Sequence, residues 1–323
     1  MTDANSSFFS VPAETLATVR GMLLEWFAAH GRDLPWRHIR DPYQIMVSEI
    51  MLQQTQVDRV IPKYQAFLGL FPSLAALAAA PTAEVIRAWT GLGYNRRAVN
   101  MQRTARAVLD AHNGQFPSDL VELLKLPGIG PYTAGAIACF AFEQDVAFMD
   151  TNIRRVVQRL FVGPEESAPV GEVRLLAIAQ DAVPPGQGWA WNQAIMELGA
   201  LICTAAAPAC WRCPMQAHCC AYAARRAADE QLFSSESAPE PQQRRRVAER
   251  RETPYAGSNR FYRGRAIEAL RQLGPGEVLL LPALGRQIKD GFTDDDMPWL
   301  RALADGLARD GLLALEDEQV RLP

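Results

Sequence analysis

Residues 126–133, Leu-Pro-Gly-Ile-Gly-Pro-Tyr-Thr, decide how the rest of the chain is interpreted. Two glycines separated by one residue allow a tight turn with outward-facing amides, and Pro131 suits the first turn of a following helix. Amide groups at a helix start attract phosphate. We therefore expect a hairpin between two helices that sits on a nucleic-acid backbone. Further along, Asp150 follows the apolar residues 146–149, so we expect an acid to emerge beside this hairpin, where it can face charge on a substrate.

Length and composition set broad limits. The 323 residues suggest two domains, and 49% hydrophobic with 21% charged residues is ordinary for a soluble globular protein. A net charge of -3 gives no support to nucleic-acid binding, so a basic face would have to be local. Residues 1–10 lack a basic segment followed by an apolar run, and no apolar stretch approaches a membrane span. A cytoplasmic protein is expected.

The loop Gly31–Arg37 places Trp36 between Arg32 and Arg37. One interpretation is an indole packed under a loop that carries two solvated arginines. The other is a pocket wall that offers an aromatic face and guanidinium donors to a base.

Glu49 lies inside an apolar helical segment, residues 45–52. Helical periodicity allows its side chain to point to solvent. If the side chain is buried instead, its pKa rises and it can serve as a general acid near neutral pH. The amide and hydroxyl groups of the following residues 53–56 are suited to filling the place of a displaced base.

Four of the six cysteines fall within one short segment: Cys203, Cys210, Cys213 and Cys219. A disulfide set is not expected in a cytoplasmic chain. A structural zinc site and an iron-sulfur cluster are equally compatible with this spacing. Cys139 lies in an apolar helix and is interpreted as a small buried hydrophobe.

After Arg226 the composition changes. Residues 234–241 form a Ser/Pro/Glu linker, and residues 244–265 combine arginines with aromatic side chains, which favours phosphate binding over a merely solvated charge run. Residues 264–323 predict a small winged-helix-like unit, with helices over 265–273 and 293–312 and an acidic hairpin over 313–322. The expected domains are 1–228, a linker with the basic segment over 229–258, and 259–323.

Several motifs resemble the MutY-type adenine DNA glycosylases of the helix-hairpin-helix, endonuclease III superfamily. These are the hairpin with Asp150, the Arg32–Arg37 loop, Ser48–Val57 (SEIMLQQTQV), Trp89–Tyr94 (WTGLGY) and Trp191–Ala200 (WNQAIMELGA). They keep the family's order from about Leu16 to Cys220. The resemblance implies a mostly α, two-lobed glycosylase domain that binds double-stranded DNA as a monomer and holds a 4Fe-4S cluster on the four cysteines.

The resemblance also implies a role for each site residue. Glu49 would protonate the purine, and Asp150 would face the oxocarbenium-like sugar. The remaining residues are assigned to the base pocket (Arg32, Trp36, Arg37, Glu197, Tyr132) and to DNA contacts (Gln54, Tyr94, Gly128, Gly130, Asn152).

Tyr132 occupies the position where bifunctional relatives of the superfamily carry a Schiff-base lysine, so little lyase activity is expected. Two departures from the family pattern qualify the interpretation. Asn95 replaces a usual second Tyr. The longer C-terminal domain that reads 8-oxoguanine is not recognisable. Two alternatives therefore stand beside adenine excision: a mismatch glycosylase that removes thymine or uracil opposite guanine, and a non-catalytic iron-sulfur DNA-binding protein.

Overall fold

The computed structural model describes residues 12–166, 168–234 and 255–323. Two parts of the sequence prediction fall outside these ranges. The first is the absence of a signal in residues 1–10, and the second is most of the predicted linker and basic segment, through residue 254. Among the described residues, no helix is both long and apolar enough to span a membrane.

The described chain is mostly α-helical, as predicted. The helices before the linker are α1 Ala13–His30, α2 Pro42–Leu52, α3 Val57–Leu70, α4 Leu74–Ala79, α5 Thr82–Ala88, α6 Arg96–His112, α7 Leu120–Lys125, α8 Pro131–Phe142, α9 Thr151–Val157, α10 Glu172–Ala182, α11 Gly188–Leu201 and α12 Cys220–Ser234. Short 3-10 turns cover Pro35–His38, Cys210–Arg212 and Gln216–His218, and a π turn over Gln158–Val162 continues α9.

These elements form two compact units that interleave along the chain. The first contains the described residues of Met1–Ile45, Ser118–Leu124 and Ile129–Gln243. The second contains those of Met46–Pro117, Lys125–Gly128 and Arg244–Pro323. The C-terminal residues therefore belong to the same compact unit as helices α3 to α6.

In the first unit, α11 packs against both α1 and α9. Helix α8 is almost entirely buried, and its composition of small residues allows close packing. At Gly135 an added Cβ would lie 2.5 Å from the Cβ of Phe148, so the segment after α8 can approach the helix only because this position lacks a side chain.

The hairpin predicted at residues 126–133 joins α7 to α8. Leu126 and Ile129 are buried, while Gly128 and Gly130 are exposed, so the loop is anchored by its apolar residues and presents its backbone. Gly128 has a φ of 80°, and an added Cβ would lie 2.7 Å from the Cβ of Asn100. This glycine is required both by its backbone angle and by close packing.

In the second unit, residues 258–323 build a winged-helix arrangement. Helices α13 Asn259–Arg271, α14 Leu281–Ile288 and α15 Met297–Arg309 pack with strands β1 Leu279–Leu280, β2 Ala314–Glu316 and β3 Gln319–Arg321. The antiparallel sheet has the order β1-β3-β2, with Leu279 opposite Val320 and Leu315 opposite the same residue on the other side. The predicted C-terminal hairpin is confirmed.

Three details of this region differ from the sequence prediction. The first helix begins earlier, at Asn259, because the Ser258 hydroxyl accepts a hydrogen bond from the Phe261 amide and caps it. The second predicted helix begins later, at Met297, after a separate capped 3-10 turn over Asp294–Asp296. Strand β1 and helix α14 were not predicted.

The apolar core of the winged-helix region extends into the helical part of the second unit. Ile86 of α5 and Val99 of α6 belong to the same buried cluster as Ile267, Leu284 and Leu300. The C-terminal region is therefore packed onto α5 and α6 through a shared core.

Candidate functional site

Glu49 lies on α2 and is only 3% exposed. Its neighbours Ser48 and Ile50 are also buried, as are Met46 and Met51, so nearly every side of this helix is covered. The structure excludes the solvent-facing interpretation of Glu49. A carboxyl group in such surroundings is a candidate for proton transfer to a bound substrate.

Two loop residues of the second unit adopt the left-handed backbone conformation. Gln54 has a φ of 55° and Tyr94 a φ of 46°. In the described chain, the other non-glycine residues with positive φ end helices or form the β2–β3 turn. Both Gln54 and Tyr94 are exposed. Backbone strain outside such standard turns is concentrated at functional sites, which agrees with the DNA-contact role expected for both residues.

Arg97 connects the segments that carry these two residues. Its guanidinium lies 5.7 Å from the Tyr94 ring centroid and 5.3 Å from that of Trp89. Nη1 donates to the oxygens of Ile50 (2.5 Å), Gln53 (2.7 Å) and Met51 (3.3 Å), and Nη2 donates to those of Leu92 (3.0 Å) and Gly93 (3.2 Å). Burial lowers the pKa of Arg97 to about 10, a shift opposed by Tyr94, so the guanidinium stays charged at neutral pH.

Asp150 occupies the N-cap position of α9. Its Oδ1 accepts a hydrogen bond from the Ile153 amide at 2.6 Å, and Oδ2 accepts one from Asn152 Nδ2 at 3.1 Å. These bonds fix the orientation of a half-buried carboxylate that follows the apolar residues 146–149. The positive end of the helix dipole also favours a negative charge at this position.

Asn152 is in turn connected to the cysteine-rich loop through Arg155. Arg155 Nη2 donates to Asn152 Oδ1 at 2.8 Å and to the carbonyl of Gly199 at 2.8 Å, while its Nε donates to the carbonyl of Cys203 at 2.7 Å. A continuous set of hydrogen bonds thus runs from Asp150 to the first residue of the cysteine set.

The predicted base-pocket residues Arg32, Arg37 and Glu197 form one ion-pair network. Glu197 is 1% exposed. Its Oε1 accepts from Arg32 Nε at 2.7 Å, and its Oε2 accepts from Arg37 Nη2 at 2.8 Å. Arg37 Nε also donates to Gln193 Oε1 at 2.9 Å. The network ties the Gly31–Arg37 loop to α11.

This network controls the ionisation of Glu197. Burial by itself would raise the pKa of this carboxyl group, but hydrogen bonds from Arg32 and Arg37, together with the charge of Arg37, outweigh burial and lower the pKa to about 2. Glu197 is therefore ionised at every physiological pH, which makes it an anchor for two guanidinium groups rather than a proton donor.

Trp36 and Tyr132 are placed by packing. Trp36 is 6% exposed under the loop. The Tyr132 ring meets Phe148 edge-on, with centroids 5.4 Å apart, at the first turn of α8. Gly130 is the N-cap residue of that helix, and Pro131 occupies the first helical position. No side chain among the described residues caps this helix start.

The four predicted cysteine ligands line one pocket in the first unit. Arg159 and Arg225 also line it, and Arg159 Nη1 lies 3.7 Å from Cys203 Sγ. Burial and the neighbouring thiols raise the pKa of Cys213 to about 11, against a hydrogen bond from the Met215 backbone. Cys220 is exposed and does not line the pocket, and Cys139 is buried as predicted.

The arrangement of these residues suits some metal groups and not others. Within the described ranges, no three His, Cys, Asp or Glu side chains are arranged to hold a single metal ion. Four thiols around one pocket, with guanidinium groups nearby to offset thiolate charge, fit a group larger than one ion.

Three residues of the site were missed in the sequence. Arg97, Arg155 and Gln193 all form hydrogen bonds that join segments distant in the chain. In the sequence, Arg97 indicates no more than local positive charge. The one usable signal was its position directly after the Gly91–Tyr94 turn, where a guanidinium can satisfy several carbonyl groups at once.

Replacing Arg97 by methionine is expected to lower the free energy of unfolding by about 1–3 kcal/mol, because carbonyl groups at two loops lose their donor. Urea unfolding followed by circular dichroism measures this change. Arg96→Met is the matched control, since Arg96 is 63% exposed and its ion pair with Asp310 is 3.4 Å long. Equal losses in both variants would contradict the proposed bracing role of Arg97.

The low pKa of Glu197 predicts a pH dependence of stability. A carboxyl group whose pKa falls from 4.5 to about 2 on folding stabilises the protein above pH 4.5, and this contribution is lost as the pH falls toward 2. Between pH 4.5 and pH 2, the unfolding free energy of the native chain should fall more steeply with pH than that of Glu197→Gln. The difference between the two slopes should correspond to the uptake of up to one proton. Glu143→Gln, which removes a carboxyl group from an exposed ion pair with Arg40, is the control for the loss of a carboxyl group as such. Identical slopes for the native chain and Glu197→Gln would contradict the assignment.

Comparisons with known proteins agree with this geometry. Residues 47–176 match the HhH-GPD superfamily of base excision DNA repair proteins. The adenine DNA glycosylase of Mycolicibacterium smegmatis is 39% identical over 292 residues, which cover 90% of this chain and 91% of that protein. The human adenine DNA glycosylase is 41% identical over 228 residues, covering 68% of this chain and 41% of that protein.

Solved structures give the same fold. A thermostable thymine-DNA glycosylase superposes with a TM-score of 0.61 at 31% identity, covering 65% of this chain and 98% of that one. An endonuclease III–DNA complex superposes with a TM-score of 0.58 at 20% identity, covering 68% and 100%, and this likeness concerns the fold alone. With a relative matched over 91% of its length at 39% identity, the chain belongs to the adenine DNA glycosylases, the DNA N-glycosylases of base excision repair.

Proposed function

We propose that this protein hydrolyses the N-glycosidic bond of adenine paired opposite 8-oxoguanine or guanine in duplex DNA. The observation that carries the proposal is the burial of Glu49 on α2, five residues before the strained and exposed Gln54. A buried acid next to a loop that can enter the duplex is suited to act on a base that has left the stack.

In the proposed mechanism, Glu49 protonates the adenine ring and weakens the glycosidic bond. Asp150 then stabilises the positive charge that develops on the sugar, and its hydrogen bonds with the Ile153 amide and Asn152 keep the carboxylate oriented before the reaction begins. Glu49 afterwards directs the attacking water. General acid catalysis of this kind contributes about 10²–10⁴-fold to the rate.

The base pocket is proposed to include Arg32, Trp36, Arg37 and Glu197, with Tyr132 at its border. Because Glu197 holds both arginines, it would fix the donors that face the base. Tyr132 replaces the lysine that a lyase would need as its nucleophile, so we propose hydrolysis with little or no strand cleavage.

The DNA contacts are proposed to come from Gln54, Tyr94, Gly128, Gly130 and Asn152. The exposed backbone of the 126–130 hairpin is suited to bind phosphate at the start of α8. Tyr94 is 44% exposed after a glycine turn, as a side chain that enters a base step would have to be. The protein would act as a monomer on DNA in the cytoplasm, with a glycosylase domain over 1–228, a linker over 229–258 and the winged-helix-like domain over 259–323.

Removal of thymine or uracil opposite guanine is the second candidate. It is supported by the 31% identity with the thermostable thymine-DNA glycosylase. The adenine glycosylases are more similar, at 39–41% identity, which supports adenine as the principal substrate.

We further propose that Cys203, Cys210, Cys213 and Cys219 hold a 4Fe-4S cluster. The four thiols line one pocket with Arg159 and Arg225, whereas a zinc ion would need its ligand sulfurs to converge within about 2.3 Å of one point. The cluster would stabilise the loop that contains Cys203, to which Arg155 is hydrogen-bonded.

Glu49→Gln is expected to reduce adenine excision at least about 100-fold, because an amide cannot protonate the base, while duplex binding is retained. Single-turnover assays on duplexes with adenine opposite 8-oxoguanine, guanine or cytosine, and with thymine or uracil opposite guanine, measure both rate and preference. Glu84→Gln, an exposed position on α5, is the control and should excise normally. Normal excision by Glu49→Gln would remove Glu49 from its role, and faster removal of thymine would favour the second candidate.

Protein purified without oxygen is expected to contain about four irons per chain and to be straw-brown. Serine in place of any of the four cysteines should lower the iron content and the stability, whereas Cys220→Ser should change neither, because Cys220 is outside the pocket. Metal analysis that finds one zinc and no iron would rule out the cluster.

A further inference from the structure

The second unit contains a large arginine-lined pocket, and we propose that it binds the phosphates of a DNA strand beside the base step that Tyr94 enters. In this proposal Arg59 and Arg260 contact the phosphates, and Arg260 also positions the Tyr94 ring. The inference rests on the proposed function in one respect, namely that Tyr94 contacts the duplex.

The pocket has a volume of about 850 Å³ and opens to solvent. It lies among α3, the Gly91–Tyr94 turn, the start of α6 and helix α13. Its charge is strongly positive, since seven arginines and only two carboxylates, Glu268 and Asp310, line it. The arginines are Arg59, Arg96, Arg97, Arg260, Arg263, Arg265 and Arg271.

Most of these arginines already have protein partners. Asp310 forms ion pairs with Arg96 and Arg263, and Glu268 forms one with Arg271. Arg97 donates to the loop carbonyls described above, and Arg265 donates to the carbonyl of Gln287 at 3.0 Å. Both carboxylates that line the pocket are therefore already paired with arginines.

Arg59 and Arg260 differ from the other five. Both are exposed, and no carboxylate in the described part of the chain forms an ion pair with either. Beside Arg59, the Lys63 side chain also approaches the Gly91 turn, where an added Cβ would lie 3.7 Å from Lys63 Cε and 4.0 Å from Arg59 Nη2. Cations without a protein counterion at the mouth of a positive pocket are suited to bind phosphate.

Arg260 is also stacked against aromatic side chains. Its guanidinium lies 4.6 Å from the ring centroid of Tyr94 and 5.3 Å from that of Tyr255. Such cation–π contacts hold the guanidinium in place without neutralising it. Arg260 belongs to the winged-helix region, so this region contacts directly the aromatic side chain assigned to the duplex.

The two walls of the pocket are joined by hydrogen bonds within this unit. Arg271 donates to the carbonyl of Ile86 at 2.9 Å and to Asn95 Oδ1 at 2.9 Å, and Arg87 donates to the carbonyl of Leu273 at 2.9 Å. Asn95, the departure from the family noted in the sequence, therefore accepts a hydrogen bond from the winged-helix region. These hydrogen bonds position the arginines of α13 beside Tyr94.

The volume favours a strand over a small anion. At about 850 Å³, the pocket is near the upper end of the 300–1,000 Å³ range of small-molecule pockets, and it is far larger than a single phosphate ion needs. Exposed aromatic side chains next to a positive groove are typical of surfaces that follow a nucleic-acid backbone. A bent or kinked DNA strand offers several phosphates to fill the pocket and a backbone for the positive groove to follow.

The test compares full-length protein with the double variant Arg59→Gln/Arg260→Gln. Affinity for a labelled duplex with adenine opposite 8-oxoguanine is measured by fluorescence anisotropy over a range of KCl concentrations. Each lost phosphate contact should reduce the slope of log affinity against log salt by about 0.9, so the double variant should lose about 1.8. An unchanged slope overturns the proposal.

Arg286→Gln is the matched control, because Arg286 is an exposed arginine of the same region that does not line the pocket. It should keep the native slope, and an equal reduction there would show that only net charge matters and would overturn the assignment.

A second arm replaces chloride by inorganic phosphate at constant ionic strength. Phosphate that binds the native protein but not the double variant, with equal DNA slopes in both, would make this a free-anion site and overturn the strand assignment.

Excision is measured separately on the native protein. A native protein that removes no base would refute the proposed function, while a reduced slope in the double variant would still support the pocket. Normal excision by the native protein with an unchanged slope in the double variant would refute the pocket alone.

Discussion

The functional surface of the second unit depends on the hydrogen bonds of one guanidinium. Arg97 donates to carbonyl groups on both the Ile50–Gln53 and the Leu92–Gly93 segments, and these segments carry Gln54 and Tyr94. Positive φ angles at two non-glycine residues cost about 1–3 kcal/mol each and persist only where surrounding contacts impose them. The charged donor supplies those contacts and keeps both side chains exposed.

Local chemistry explains which parts of the fold could be predicted. The hairpin at 126–133 was recognised because its two glycines can adopt backbone conformations that other residues resist. Helix α14 was missed because it follows the two-residue strand β1, which is too short to show periodicity and whose pairing with β3 is set by residues some forty positions later. The late start of α15 depends on a cap at Thr293 that resembles an ordinary helix start.

The site likewise divides into features that the sequence predicts and features that it does not. Cysteine spacing and the acid after an apolar run were visible in the sequence, but the environment of Glu49 was not, because α2 is buried on nearly every side and periodicity cannot assign a face. Likewise, Glu197 receives its two arginines from a loop 160 or more residues away. Long-range pairing of charges decides ionisation, and it becomes visible only when the tertiary structure is known.

The core shared by the winged-helix region and helices α5 and α6 affects how this enzyme can be divided. Ile86 and Val99 are fully or almost fully buried in that cluster, and Asn95 accepts a hydrogen bond from Arg271. A shortened protein that ends before α13 would expose an apolar face and leave Asn95 without this donor. A minimal catalytic fragment would therefore need new polar side chains at positions 86 and 99. Fusion to a different C-terminal domain would call for a matching exchange at position 95.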